Sequence, residues 1–399
     1  MQEEEFKWLF SDEAQSFLKA NADKNPESFL LSKALSKKGW DAKIIARQLK
    51  GLKVAEHKFP TWFRTAGILY PPAISIEQAS SEVTAKYKAD IFKGERIVDL
   101  SGGMGIDSYF LSIGCTDFIY VEPSEELNEI STYNFQKLGA KNIKSVCAKA
   151  EDFLQENKIQ FSGLYVDPSR RKGEQRIAAV AHWEPDVITL KPAMWNVADS
   201  ILIKMSPMVD ISEVCKELGE VKEVHVVSYR NECKEVLLLL NKGWTKPYQI
   251  IVASLKEEKN ETYAFYTTEE QDAEPTFSEA LKYIYEPDSA LLKAGAFKKV
   301  AVDFKLNKVH AHTHLYTSKE LYPNFMGRCF VVEEVMVCSK KNISGLVAKE
   351  KDFHVMTRNS VLTADQVKAQ WKLIERGERY LILFKGLDGL QYVAKTKRV

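Results

Sequence analysis

The segment that decides the fold runs from Glu95 to Glu122 and reads ERIVDLSGGMGIDSYFLSIGCTDFIYVE. Its first apolar run, residues 97–100, is typical of a buried parallel strand. The run breaks into a glycine-rich turn at residues 101–105, where the glycines let backbone N–H groups come close to a ligand. A helical segment follows, and then a second apolar run that ends on Glu122. This order predicts the nucleotide-binding half of a doubly wound sheet, in which the terminal acid accepts hydrogen bonds from ribose hydroxyls.

The spacing of the glycines narrows the class of ligand. Gly102, Gly103 and Gly105 do not follow the G-x-G-x-x-G pattern of pyrophosphate binders. The Asp99 carboxylate would repel a pyrophosphate and suits a cationic or zwitterionic ligand better. The pattern D-x-S-G-G-x-G, with an acid ending the next strand, resembles the class I methyltransferases, whose ligand S-adenosylmethionine carries an ammonium, a sulfonium and a ribose but no phosphate. A dinucleotide enzyme and an α/β domain without a cofactor are the alternatives.

This resemblance implies where S-adenosylmethionine would bind. The amino acid moiety and the ribose would contact Asp99, Ser101, Gly102, Gly103, Gly105 and Glu122. Relatives usually have an acid for the adenine soon after the third strand, but Lys149 stands in that place here. We therefore expect Glu151 or Asp152 to contact the adenine.

A second informative stretch, residues 165–173, follows the fourth predicted strand and reads YVDPSRRKG. Working residues of open α/β sheets lie just beyond the carboxyl ends of the strands. Methyltransferases that modify exocyclic amines carry D/N-P-P-aromatic there, and the acid and the first proline's carbonyl receive the hydrogen bonds of the amine. The resemblance makes Asp167 and Pro168 the predicted catalytic residues, although Ser169 and Arg170 replace the second proline and the aromatic residue.

Three cations come next in the chain, Arg170, Arg171 and Lys172. Arginine binds phosphate through two parallel hydrogen bonds, so these residues are predicted to hold a phosphate of the substrate. Ion pairing with Glu184 or Asp186 is the alternative.

The same stretch also resembles the D-P-P-R-x-G loop of uracil-C5 RNA methyltransferases. Those enzymes need a cysteine nucleophile after the fifth strand to activate carbon 5. Residues 204–207 read KMSP at that place and contain no cysteine. The sequence therefore favours methylation of a nitrogen, since a nitrogen acceptor already carries its own lone pair.

Composition divides the chain into an acidic and a basic part. Residues 276–399 hold 21 Lys and Arg against 13 Asp and Glu, whereas the remainder holds 35 against 42. A basic module attached to an acidic enzyme suits a protein that modifies nucleic acid. A basic surface that is simply solvated is the alternative.

Other features bear on location and metals. The first residues, MQEEEFKWLF, are acidic and lack the apolar stretch of a signal peptide, and no run of eighteen apolar residues occurs. Six scattered cysteines without a C-x-x-C pair favour a reduced, cytoplasmic setting. His310, His312 and His314 would share one face of a strand, but no cysteine or acid completes a metal site. We expect neither a membrane partner nor a metal.

The remaining pattern predicts helices and strands around this centre. Helical spacing covers residues 13–22 and 42–50, with Gly51 closing the second helix, and residues 59–63 resemble a loop. Strands are expected at 143–148, 163–166, 201–205, 221–228 and 235–240, with possible extensions at 248–255 and 262–266. The polar stretch 267–275 resembles a linker, and residues 324–399 resemble a small α+β unit.

Taken together, the chain resembles bacterial class I methyltransferases with a THUMP-like C-terminal domain. The resemblance rests on Gln78–Glu82, Asp99–Gly105, Asp167–Arg171, Tyr285–Ala290 and the C-terminal α+β unit. It implies an N-terminal helical domain (1–75), a Rossmann-like methyltransferase domain (76–275), a small ferredoxin-like module (276–323) and a THUMP-like domain (324–399). THUMP domains recognise tRNA, so the resemblance implies an RNA partner by analogy.

The sequence thus predicts a cytoplasmic S-adenosylmethionine-dependent methyltransferase that acts on a base nitrogen of tRNA or rRNA. One alternative is an RNA-binding module that binds the cofactor without turnover, because Ser169 alters the acceptor loop. Another is a methyltransferase for a small molecule or a protein.

Overall fold

The computed structural model describes residues 7–30, 35, 38–170 and 183–399. The chain divides into two compact units. The first comprises Met1–Lys222 and Val236–Lys246, and the second comprises Glu223–Glu235 and Pro247–Val399. The predicted boundaries between four domains stay a prediction.

The helices and strands of the described residues are named in chain order. The α-helices are α1 Asp12–Ala20, α2 Ala42–Lys58, α3 Pro60–Arg64, α4 Ala73–Gln78, α5 Glu82–Ile91, α6 Ile106–Ser112, α7 Glu125–Lys137, α8 Ala150–Glu156, α9 Val187–Val197, α10 Ile211–Leu218, α11 Thr267–Asp272, α12 Ser289–Ala294, α13 Lys299–Asp303, α14 Lys340–Leu346 and α15 Ala364–Trp371. The first strands are β1 Arg96–Asp99, β2 Asp117–Val121, β3 Ile143–Val146, β4 Gly163–Val166, β5 Ser169–Arg170, β6 Trp183–Glu184, β7 Ser200–Met205, β8 Val221–Tyr229 and β9 Glu232–Asn241. The remaining strands are β10 Gln249–Leu255, β11 Glu261–Tyr266, β12 Tyr283–Pro287, β13 Asn307–His310, β14 Thr313–Ser318, β15 Gly327–Val337, β16 His354–Arg358, β17 Arg379–Lys385 and β18 Gln391–Arg398.

The first unit is built on a sheet with the strand order β9-β7-β4-β1-β2-β3. Strands β7, β4, β1, β2 and β3 run parallel, and β9 runs antiparallel to β7. This confirms the predicted doubly wound α/β fold. Central β1 lies between β4 and β2, with Asp99 opposite both Tyr165 and Tyr120. The carboxyl ends of these three strands therefore meet at one edge of the sheet.

The N-terminal helices of the first unit correct two predictions. Helix α2 continues through Gly51 to Lys58 instead of ending there. A Cβ on Gly51 would lie 2.3 Å from the Tyr70 side chain, so this glycine permits close packing inside a helix. The predicted loop at 59–63 is largely helix α3, with Pro60 in its first turn, where its missing N–H has no partner to lose.

The second unit contains the strands β11-β10-β8 and a seven-stranded sheet of order β13-β14-β12-β15-β18-β17-β16. On one face of this larger sheet, Ile343 of α14 and Val367 and Trp371 of α15 pack against Leu381 and Leu383 of β17. The other face carries a second core around Phe330 and Ile382. The predicted C-terminal α+β architecture is confirmed.

The Tyr285–Ala290 segment of the second unit is a centre of buried polar contacts. Glu286, which is 0% exposed, pairs with Arg328 and Arg358. The Asp288 carboxylate accepts hydrogen bonds from the hydroxyls of Ser228 (2.6 Å) and Ser254 (3.0 Å). These contacts give the motif a structural task, since they tie β12 to β16, β8 and β10.

Two further predictions in the second unit are wrong. The stretch taken for a linker contains α11, and Glu270 within it accepts hydrogen bonds from the backbone N–H groups of Lys298 and Lys299 (both 2.8 Å). The three histidines do not share one strand. His310 ends β13, His312 lies in the turn, and His314 lies in β14, where its ring stacks on Phe297 at 3.7 Å.

Candidate active site

The glycine-rich turn follows β1 directly and leads into α6. Gly105, with a φ of 79°, precedes the helix. A Cβ on Gly102 would lie 2.2 Å from the buried ring of Tyr120, so only glycine fits between the turn and this ring. At Gly103, the one described atom within 4 Å of a Cβ would be the Ser101 carbonyl oxygen, at 3.7 Å. The turn is therefore packed against Tyr120 at Gly102 and open at Gly103.

The Asp99 carboxylate lies beneath this turn and is 1% exposed. Its Oδ1 accepts hydrogen bonds from the Ser101 N–H (2.8 Å) and the Ser101 hydroxyl (3.0 Å). Its Oδ2 accepts one from the Ser108 hydroxyl (2.5 Å). Burial raises the pKa of Asp99 to about 7, against the opposing effect of these hydrogen bonds. Asp99 thus shapes the turn from below, and its contact with the cofactor stays a prediction.

Glu122 supports the same turn from the end of β2. Its Oε2 accepts a hydrogen bond from the Gly103 N–H and its Oε1 one from the Ser124 N–H, each at 2.8 Å. Burial raises the pKa of the Glu122 carboxyl above its usual value. The acid therefore lies at the open part of the turn, as a ribose-binding residue would, and its contact with ribose stays a prediction.

The acceptor loop is joined to the glycine turn by one side chain. The Asp167 backbone N–H donates to Ser101 Oγ at 2.7 Å, and the same hydroxyl donates to Asp99. The Asp167 side chain is about one-third exposed and forms an ion pair with Lys204 Nζ through Oδ2. The structure thus brings the predicted catalytic acid next to the predicted cofactor turn.

A buried polar cluster below this loop was not predicted. The Asp107 carboxylate accepts hydrogen bonds from the hydroxyls of Ser80 (2.7 Å) and Tyr165 (2.8 Å) and pairs with Lys88 Nζ at 3.2 Å. Burial raises the pKa of Asp107, but the charges of Lys88 and Lys204, with these hydrogen bonds, outweigh it and hold the pKa below its usual value. Two features of the sequence could have indicated this cluster. Asp107 stands two residues after the last glycine of the turn, and Lys204 stands in an otherwise apolar strand.

The other predicted site residues are less tightly held. Glu151 and Asp152 are exposed in the first turn of α8, after β3, and their contact with adenine stays a prediction. Ser169 and Arg170 form the short strand β5, whose backbone pairs with β6. Arg171 and Lys172 lie outside the described residues.

Further observations concern tryptophans, metals and membranes. Trp183 and Trp195 are buried, and Trp195 Nε1 donates to Glu220 at 2.8 Å, so Trp195 is held in the interior of the fold. In the part of the chain that the structure describes, no group of three or more His, Cys, Asp or Glu side chains is arranged to hold a metal ion. None of the helices described is both long and apolar enough to cross a membrane.

Comparison with known domains and proteins places this site in a wider group. A ferredoxin-like domain matches residues 283–325, and a THUMP domain-like domain matches residues 327–393. A comparison with curated proteins gives no match. A crystal structure described as a "putative methyltransferase" from Porphyromonas gingivalis W83 is 29% identical, with a TM-score of 0.88, over 100% of this chain and 99% of that one.

Two other structures match about two-fifths of the chain. One is described as a "putative rRNA-methylase" from Clostridium thermocellum, at 13% identity over 40% of this chain and 94% of that one, with a TM-score of 0.29. The other is a "putative methyltransferase" from Streptococcus mutans in complex with SAH, at 14% identity over 40% and 96%, with a TM-score of 0.30. Likenesses of this size carry no argument about substrate. The parallel sheet, the full-length likeness and the two domain matches agree. This chain has the class I methyltransferase fold, with ferredoxin-like and THUMP-like domains at its carboxyl end.

Proposed function

We propose that this protein is an S-adenosylmethionine-dependent methyltransferase that methylates a base nitrogen of RNA. The observation that carries the proposal is the position of Ser101, which is bonded both to Asp99 under the glycine turn and to the Asp167 backbone. Two consecutive hydrogen bonds through Ser101 therefore connect Asp167, the proposed acceptor-binding acid, to the glycine turn, the proposed binding site of the methyl donor. Transfer needs such proximity, because donor and acceptor must meet in line.

The residues around the turn fit the proposed cofactor. Gly103 leaves its side of the turn open, and Asp99 and Glu122 place two carboxyl groups at the same turn. Carboxyl groups at the turn, that of Glu122 on its open side above all, favour a ligand with an ammonium and a sulfonium over a pyrophosphate. Asp99, Ser101, Gly102, Gly103, Gly105 and Glu122 would hold its amino acid and ribose parts.

The chemistry asks little of the protein beyond orientation. When bound, S-adenosylmethionine would supply a methyl group on a sulfonium, and the C–S electron pair would return to sulfur as the C–N bond forms. The Asp167 carboxylate and the Pro168 carbonyl accept hydrogen bonds from the acceptor amine and aim its lone pair. The nitrogen then loses one proton, to Asp167 or to water. No nucleophilic side chain is needed, which agrees with Met205, Ser206 and Pro207 following Lys204.

The proposed RNA partner is supported by lysines of the second unit. Lys340 and Lys341 begin α14, and Lys349 and Lys351 follow it. Lys372 follows Trp371, whose Nε1 donates to Ser344 Oγ of α14 at 3.0 Å, so Lys372 belongs to the same region. These five lysines form no ion pair within the described residues, and Lys340, Lys341, Lys349 and Lys372 are exposed. A group of cations in and around one helix suits a phosphate backbone.

The test is transfer of labelled methyl from S-adenosylmethionine to bulk tRNA and rRNA by the wild type and by Asp167→Ala. We expect label in an N-methylated nucleoside with the wild type, and no transfer by Asp167→Ala with cofactor affinity within a few fold. Cofactor and RNA binding without transfer would overturn the enzyme and favour a binding module. Label found only in protein or small-molecule fractions would overturn the RNA substrate.

A further inference from the structure

Lys204 contacts the acceptor loop from the neighbouring strand. It lies near the carboxyl end of β7, where Ile203 is the partner of Val166 in β4, so Lys204 comes level with Asp167. Its side chain is 14% exposed and its Nζ pairs with Asp167 Oδ2. A lysine in the run SILIKM is unexpected in a strand whose Ile201, Leu202 and Ile203 are fully buried.

Lys204 also acts on a second carboxylate. Its charge lowers the pKa of the buried Asp107 carboxyl, and the charge of Lys88 lowers it more. Lys88 pairs with Asp107 and Lys204 pairs with Asp167, and the charge of Lys204 also acts on Asp107. Asp107 is 9% exposed, whereas the Asp167 side chain is 32% exposed. Lys204 therefore acts on one carboxylate in the core and on one that is partly exposed.

The Asp167 residue is fixed at two of its atoms. Its backbone N–H is held by Ser101 Oγ, and its Oδ2 is held by Lys204. Its Oδ1 has no hydrogen-bond partner among the residues that the structure describes. We infer that Lys204 is a positioning residue for methyl transfer, which holds Oδ2 so that Oδ1 faces the N–H of the acceptor. This inference rests on the proposed function, in which Asp167 receives the acceptor.

The role has a definite consequence for kinetics. Lys204 lies in β7 and not in the glycine turn, so we expect its replacement to leave cofactor affinity within a few fold. Without the ammonium group, the carboxylate can rotate, and Oδ1 no longer has a fixed direction. Misplacement of a reacting group by about 1 Å costs on the order of 100-fold in rate. Replacement by arginine keeps the charge and the ion pair.

The test uses the full chain with Lys204→Met, Lys204→Arg and, as a control, Lys216→Met on the exposed side of α10. We expect Lys204→Met to lower the single-turnover rate by about 100-fold, with cofactor affinity by calorimetry within a few fold and folding retained by thermal melting. Lys204→Arg should recover most of the rate, and Lys216→Met should match the wild type. Equal transfer by Lys204→Met, or a parallel loss of cofactor binding, would overturn the inference.

A second readout does not depend on finding the substrate. Crystal structures of the wild type and Lys204→Met report the Asp167 rotamer directly. We expect one orientation in the wild type and several, or a rotated one, in the variant. An unchanged single orientation in Lys204→Met would overturn the inference, whatever the activity. Absence of transfer by the wild type to any RNA would instead overturn the proposed function.

Discussion

The backbone N–H of Asp167 donates to the hydroxyl oxygen of Ser101 at 2.7 Å, across 66 residues of chain. The Ser101 hydroxyl in turn donates to Asp99, so one side chain joins the loop after β4 to the loop after β1. Proteins of this fold work at the carboxyl edge of the sheet, where such loops meet. Ser101 is therefore the residue on which the relative position of the two loops depends.

We predict that Ser101→Ala weakens methyl transfer as well as folding. The variant leaves the partly buried Asp167 N–H without its acceptor, which costs about 1–3 kcal/mol. Because the missing bond lies between the two loops, we expect a rate loss of roughly tenfold or more, since about 1.4 kcal/mol corresponds to a factor of ten. Ser28→Ala is the control, because the one bond of its hydroxyl among the described residues is to the nearby Asn25 carbonyl. Equal transfer rates for Ser101→Ala and Ser28→Ala would contradict this role.

Local pattern in the sequence was enough to predict the sheet and its glycine turn. Apolar runs, glycine positions and the acid at Glu122 are signals carried by adjacent residues, and the strands lie where these signals predict them. The contacts of the site are different in kind. Lys204 meets Asp167 across 37 residues and Ser80 meets Asp107 across 27, and spacing along the chain does not specify which side chains of different elements touch.

The wrong predictions have the same origin. Glycine can end a helix or permit close packing. Gly51 permits close packing because the Tyr70 side chain lies against it, a contact that the local sequence does not show. The alternation of three histidines fits a strand, but it also fits two strands joined by a short turn, as in β13 and β14. Polar residues 267–272 fold as a helix because Glu270 accepts hydrogen bonds from backbone N–H groups of a distant segment.

Asp99 should make stability depend on pH. Burial raises its pKa from 3.8 to about 7, so the folded state binds more protons than the unfolded state between these values. Stability from the protonated form is fully present below pH 3.8 and is lost as the pH rises through about 7. Relative to Asp99→Asn, which does not titrate, the wild type should lose up to a few kcal/mol between about pH 4.5 and 7.5.

The measurement is denaturant unfolding of the wild type and Asp99→Asn across that pH range. All other groups titrate in both proteins, so the difference in unfolding free energy reports Asp99 together with its interaction with Asp107. A difference that stays constant across the range would show that the carboxyl ionises as easily when folded as when unfolded.

Gly102 should tolerate no side chain. Its Cβ would approach the Tyr120 ring at 2.2 Å, and the Tyr120 hydroxyl holds the Gly103 carbonyl at 2.6 Å. Overpacking of this kind costs typically about 1–3 kcal/mol. We expect Gly102→Ala to be less stable by that amount and to lose cofactor affinity, because the ring can move only by disturbing the turn.

Gly345→Ala provides the matched comparison for Gly102→Ala. No atom of the described chain lies within 4 Å of a Cβ there, and Gly345 lies in helix α14. Alanine should therefore be neutral or stabilising by up to about 1 kcal/mol. Thermal melting and calorimetric titration of both variants decide the matter. Intact cofactor binding by Gly102→Ala would show that the turn adapts to a Cβ.

The lysines around α14 should contribute to RNA affinity and to its salt dependence. Lys340, Lys341 and Lys349 are exposed and form no ion pair within the described chain. Changing all three to Glu should weaken RNA binding and lower the slope of log K against log salt by about 0.7–0.9 for each phosphate that the variant no longer neutralises. Cofactor affinity should not change, since these residues lie outside the cofactor turn.

The control for the lysine variant is a triple change of Lys19, Lys24 and Lys53 to Glu, three exposed lysines of the N-terminal region. It alters the net charge of the chain by the same amount at a different place. Filter binding at several salt concentrations separates a local contact from a general charge effect, because only a local contact affects one variant and spares the other. An equal loss in both variants would mean that RNA responds to net charge alone, and undiminished binding by the α14 variant would remove this surface from the RNA interface.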